Sequence, residues 1–136
     1  MNARAALTKN QSCVLDKLEA AEGPLSAYTL LDLLRDQGFR APLQVYRALD
    51  ALVKGGLVHR LESMNAFVAC SGPHDHDHGH GMTAFAICDV CGQVTELTDT
   101  SIGERLDGWI GSTGFVPKKA VIEFRGTCAK CLSEAA

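Results

Sequence analysis

Two C-x-x-C pairs, Cys88-Asp89-Val90-Cys91 and Cys128-Ala129-Lys130-Cys131, constrain this chain more than any other feature. Two residues between cysteines let one tight turn offer both sulfurs to a single ion. Two such turns complete the tetrahedral sulfur shell that zinc accepts. The pairs are 36 residues apart, more than a compact zinc ribbon spans, so a strand and a helix must carry the second pair back to the first. The expectation is a closed structural zinc site of Cys88, Cys91, Cys128 and Cys131 that holds the C-terminal half together. A redox dithiol is the rival reading, but the βαβ setting of a thioredoxin-like site is missing. Six cysteines would also suit a disulfide scaffold in an exported protein. The N-terminus has no apolar run of signal-peptide length, which points instead to the reducing cytoplasm.

At 136 residues the chain suits one domain or two small ones. Its 46% hydrophobic content is ordinary for a globular protein, and no stretch approaches the ~20 apolar residues of a membrane span. A net charge of −3 argues against a protein coated in basic residues. The charge is unevenly divided. Up to Ser63 there are eight Lys/Arg against seven Asp/Glu, and beyond it five against nine. If either half meets DNA, it is the first.

That half reads as three helices and a hairpin. Thr8 suits a cap for a helix with Val14, Leu15, Leu18 and Ala21 at helical spacing, ending before Gly23-Pro24. Ser26 starts a second helix, with Ala27, Leu30, Leu31 and Leu34 on one side and Gly38 as its stop. Pro42 suits the first turn of a third, carrying Val45, Leu49, Leu52 and Val53 and ending at Gly55-Gly56. The period then becomes two. Leu57, His59 and Leu61 alternate with Val58 and Arg60, and Ser63-Met64-Asn65 turns the chain into Ala66–Cys70. Two helices joined by a tight turn and followed by a hairpin form the layout of a winged helix-turn-helix, whose second helix fits the roughly 12 Å major groove. Past an aperiodic stretch from Ser71 to Gly81, strands are expected over Met82–Cys88, Gln93–Leu97 and Ala120–Phe124, with a helix over Ile102–Ile110 weakened by its glycines.

The aperiodic stretch holds a second metal pattern. His74-Asp75-His76-Asp77-His78-Gly79-His80 packs four histidines and two carboxylates into seven residues. Imidazole suits zinc, copper, nickel and iron, and a solvated, weakly chelating loop is the plainer reading. Cys70 precedes the tract, His59 shares strand parity with Leu57 and Leu61, and Glu96 shares it with Val94. A histidine or carboxylate on apolar parity is costly unless paired. One ion held by His59, Cys70, a tract histidine and Glu96 would tie the hairpin, the hinge and the second half together. Its thiolate biases the site to zinc over ferrous iron or manganese. Taken singly, His59 also reads as a satisfied hairpin histidine and Cys70 as a small buried hydrophobe.

Val45-Tyr46-Arg47-Ala48-Leu49-Asp50-Ala51-Leu52-Val53 and Gly56-Leu57-Val58-His59-Arg60-Leu61 resemble the recognition helix and wing of the ferric uptake regulators. The histidine tract, Cys88-x-x-Cys91-Gly92 and Cys128-x-x-Cys131 follow in that family's order, so the resemblance spans nearly the whole chain. His59, Cys70 and Glu96 together resemble its zinc-uptake branch. The resemblance implies a sensory zinc site of His59, Cys70, Glu96 and His80, with His78 as the alternative histidine. It implies operator contact through Tyr46 and Arg47, with Gln44, Arg40, Lys54 and Arg60 beside them. Gln44 departs from the threonine usual before Val-Tyr-Arg in the family. The expected fold is α+β (α/β): a winged-helix DNA-binding domain over 1–69, a hinge with the His-rich loop over 70–81, and a small dimerisation and structural-zinc domain over 82–136.

The expected function is a cytoplasmic, homodimeric, zinc-responsive repressor of zinc-uptake genes. It takes about two Zn2+ per subunit and has double-stranded operator DNA as partner, with no membrane, no small-molecule substrate and no catalysis. Iron-, manganese- or peroxide-responsive relatives are the alternative within the family. A zinc store or a zinc hydrolase is the alternative outside it, although the H-E-x-x-H pattern is absent.

Overall fold

The computed structural model describes residues 6–70, 82–117 and 120–135. The chain divides into two units, Met1–Cys70 and Ser71–Ala136, so the first ends one residue beyond the expected boundary at 69. The stretch expected to be the hinge and metal-binding loop lies, beyond Cys70, outside the described residues.

In the first unit, local signals start each helix. Thr8 and Gln11 form a reciprocal cap on α1 (Lys9–Ala20), the Thr8 hydroxyl accepting from the Gln11 N–H at 3.2 Å and the Gln11 side chain accepting from the Thr8 N–H at 3.1 Å. Ser26 caps α2 (Ala27–Leu33), and a short 3-10 turn over Arg35–Gln37 leads to Gly38, whose φ of 95° is the left-handed stop that glycine adopts freely. Pro42 is the first residue of α3 (Pro42–Lys54). Strands β1 (Val58–Leu61) and β2 (Ala66–Ala69) pair antiparallel with His59 opposite Val68, and Leu25 adds a short bridge to Phe67. Val14, Leu15, Leu30, Val45, Leu49 and Leu52 from the helices, Phe39 from the connection before α3 and Phe67 from the ribbon bury one continuous core.

The expected alternation along β1 is incomplete. Leu57 and Leu61 are buried, as parity requires, but Val58 is buried as deeply. The chain leaves α3 through Gly55-Gly56 and has not yet cleared the helical core at Val58, which joins it.

In the second unit, β3 (Met82–Cys88) runs between antiparallel β4 (Val94–Asp99) and parallel β5 (Ile122–Gly126). A parallel neighbour needs a crossover, and α4 (Thr100–Ser112) supplies it. This helix exceeds the expected Ile102–Ile110 at both ends. Asp99 starts it, its carboxylate accepting from the Ser101 hydroxyl at 2.6 Å and from the N–H groups of Ser101 and Ile102 at 2.8 and 3.2 Å. Those bonds, the hydroxyl's first, hold the Asp99 carboxyl below its ordinary range. Strand β5 begins two residues later than expected, and a last helix, α5 (Ala129–Glu134), was not expected at all. Its six residues overlap the second cysteine pair and carry too little periodicity to announce a helix.

The second core is thin. Among the described residues of this unit the buried hydrophobic side chains are Phe85, Ile87, Cys88 and Cys131, while Trp109, Phe115 and Phe124 are each more than half exposed. Among the described residues no helix is long and apolar enough to cross a membrane.

Candidate metal centre and nucleic-acid face

The end of β3 and the start of α5 build the cysteine site. Parallel pairing sets Cys88 opposite Gly126, two residues before Cys128, so sheet register alone delivers the second pair to the first. The first pair turns on Gly92, whose φ of 79° favours glycine and whose N–H donates to the Cys88 carbonyl at 3.0 Å. The sulfurs of Cys88, Cys91, Cys128 and Cys131 all lie within 4.8 Å of one another, and Cys91 and Cys128 are 3.9 Å apart. A tetrahedral ion with Zn–S bonds of about 2.3 Å sets its sulfurs about 3.8 Å apart, so the cage fits zinc.

Protonation in the cage is polarised. The backbone N–H of Cys91, then that of Cys128, donates to the Cys88 sulfur and lowers its pKa to about 6. The Cys128 side chain, followed by burial and the other sulfurs, pushes Cys131 up to about 12. The direction of these shifts favours the thiolate at Cys88 and the thiol at Cys131, whose proton a bound cation would displace.

One contact beside the cage was not read from the sequence. Arg125 Nε and Nη2 donate to Asp89 Oδ1 at 3.0 and 2.6 Å, and the Asp89 N–H donates to the Gly126 carbonyl at 2.8 Å. The first knuckle is thereby clamped to the strand that carries the second. An Asp within C-x-x-C and an Arg three residues before the next Cys are the sequence signal, silent until the strands are paired. Both side chains are nearly half exposed, so the clamp is a modest one. Arg125→Ala is expected to speed zinc release to a chromophoric chelator by no more than about fivefold, the ceiling for an exposed pair. Asp89→Ala in the same background should add nothing further, and additive effects would show that the two do not act as a pair.

The other predicted ligands fall in both units. His59 is half-buried on β1 and Cys70 buried just after β2, where its N–H extends the ladder to the Leu57 carbonyl at 2.9 Å. Continuing the register places Cys70 diagonal to His59 on one face of the ribbon, and a His59 ring nitrogen lies within 4.8 Å of the Cys70 sulfur. Glu96 stands on β4 of the second unit opposite Phe85; it and Val94 are half-buried while Thr95 and Leu97 are exposed, as parity predicted. His80 and His78 lie outside the described residues.

Helix α3 carries the predicted DNA-facing residues. Arg47 is exposed, and Tyr46 is half-buried against the core. Arg40 and Lys54 are exposed, while Arg60 bonds Asn65 Oδ1 at 2.8 Å and pairs with Glu62 at 3.7 Å. Gln44 has a second role that the sequence reading missed. Its side-chain oxygen accepts from the N–H groups of Arg40 at 2.7 Å and Ala41 at 3.0 Å, capping α3 where Ala41 has no side chain to do so. A glutamine three residues after the helix boundary was the available signal.

Known proteins align with this geometry over most of its length. Residues 3–125 match the family described as the ferric uptake regulator family. The zinc uptake regulation protein of Escherichia coli (strain K12) is 39% identical over 93% of this chain and 72% of its own. The crystal structure of holo XcZur superimposes with a TM-score of 0.83 at 42% identity, covering 93% of this chain and 86% of that one. A zinc uptake regulator complexed with zinc and DNA superimposes with a TM-score of 0.86 at 37% identity, covering 95% and 85%.

Proposed function

The chain belongs to the ferric uptake regulator family and, within it, to the zinc uptake regulators, and from that premise we propose that it is a zinc-responsive repressor that binds operator DNA as a zinc-loaded homodimer and silences zinc-uptake genes. The observation that carries the proposal is the likeness, over 95% of this chain, to a regulator solved with both zinc and DNA.

In this reading the four-cysteine cage holds a structural zinc. A second zinc, the signal, takes His59, Cys70, Glu96 and His80, with His78 as the alternative to His80. The closeness of His59 and Cys70 supports it, since a nitrogen and a thiolate on one ribbon face already form half a zinc site. Glu96 comes from the other unit. An ion held by ligands from both would fix their relation and select, from a mobile population, dimers whose α3 helices face successive major grooves. Moving that population from about 1% to 99% requires a preference of roughly 5.5 kcal/mol. Tyr46 and Arg47 supply operator contact, flanked by Gln44, Arg40, Lys54 and Arg60. The exposed aromatic side chains of the second unit support dimerisation there, and a DNA-binding repressor works in the cytoplasm as a regulator rather than an enzyme.

The test is binding of the purified protein to promoter DNA of a zinc-importer gene in buffered free zinc, beside buffered iron and manganese, with the cysteine cage kept filled. Sharp, zinc-selective binding is expected. Selectivity for iron or manganese would move the protein to another branch of the family, and absence of sequence-specific binding would leave a zinc store or hydrolase.

A further inference from the structure

An open cleft of about 280 Å3 lies where the first turns of α1 and α3 meet, lined among the described residues by Thr8, Asn10, Gln11, Gln44, Arg47 and Ala48. None of these carries a carboxylate. Gln44 and Arg47 are three residues apart and so share one side of α3. What Gln44 can offer a ligand follows from its cap. Two backbone N–H groups occupy the two lone pairs of its oxygen, and only an oxygen can accept from them, which leaves the Nε2 amide as a pure donor. Glutamine reads adenine by donating to N7 while accepting from N6, and the accepting half is spent. Arg47 has five donors and no acceptor, and the Thr8 hydroxyl and Asn10 amide add further donors. A cleft lined by such donors beside a permanently charged guanidinium suits an oxyanion.

We infer that this cleft seats a phosphate of the DNA backbone, and that Gln44 positions the duplex as a donor to that phosphate instead of reading a base. The inference rests on the operator-binding reading above. It gives the departure at Gln44 a physical role: one side chain caps the helix with its oxygen and grips the backbone with its nitrogen. Phosphate contacts set register without carrying sequence information.

The experiment uses the full-length, zinc-loaded protein with the operator duplex and a scrambled duplex of equal length. Gln44→Glu keeps an N3 acceptor for both N–H groups, so thermal melting should be unchanged or higher, while the donor is replaced by an anion. Affinity for both duplexes is expected to fall by about tenfold or more, in proportion, because a hydrogen bond to a charged group is lost and repulsion is added. Gln44→Met, which removes donor and cap without adding charge, should lose less on both. Wild-type affinity in Gln44→Glu, or a loss confined to the operator, would overturn the inference while leaving the repressor reading intact. Failure of the wild-type protein to bind either duplex would overturn both.

Discussion

Cys128→Ser is expected to unfold the second unit and leave the first folded. The first unit closes its own core, with Leu30, Val45, Leu49 and Leu52 fully buried, and none of those side chains depends on a metal. Among its described residues the second buries few hydrophobic side chains, and two of them, Cys88 and Cys131, belong to the cage. A core that small does not offset the entropy of ordering the chain. Structural zinc contributes an apparent ~10–16 kcal/mol in small zinc domains, so losing one sulfur removes a large share of what holds the unit. Bound zinc should drop by about one ion per subunit. Limited proteolysis should then degrade residues beyond Cys70 while the Met1–Cys70 fragment survives. A zinc-depleted variant whose second unit still resists protease would show that the sheet and α4 suffice without the ion.

The second large effect is expected from Cys70→Ser, which should abolish zinc-dependent operator binding, by about 100-fold or more at saturating buffered zinc, with the cage zinc retained. Serine keeps the shape but loses the soft, ionised ligand that favours zinc. Cys70 is only 9% exposed and within 4.8 Å of a His59 nitrogen, so water cannot simply replace the sulfur. In the proposed mechanism, losing that ligand would remove much of the roughly 5.5 kcal/mol preference needed to shift the population to the DNA-ready state. Zinc stoichiometry by mass spectrometry, beside operator titrations, separates this outcome from unfolding: one ion should remain and thermal melting should hold. Undiminished binding would remove Cys70 from the sensory site and favour a nitrogen- and oxygen-based iron or manganese sensor.

Much of the first unit was legible because its determinants are local. Thr8, Ser26, Gly38 and Pro42 act within one helical turn of where they stand, and the structure uses each as a cap, stop or first turn. The two cysteine pairs were legible as candidate ligands because spacing within a pair is also local, and the structure brings their four sulfurs together. Gln44 was legible as a departure from the family pattern, but not as a cap, since that role depends on where the Arg40 and Ala41 N–H groups point once α3 has formed.

By itself the sequence determined three helices with their start signals, a hairpin, two C-x-x-C turns and the residue types of a candidate second metal site. Tertiary structure alone decided how these meet. It put Cys88 level with Gly126 so that two distant pairs form one cage, brought Arg125 onto Asp89, and set Cys70 diagonal to His59 across the ribbon. It also drew Val58 into a core that strand parity had assigned to its neighbours. The physical reason is the same in each case. Helix caps and turns are fixed by atoms a few residues apart, whereas strand register and burial are settled by which distant surfaces exclude water together, and no local pattern records that choice.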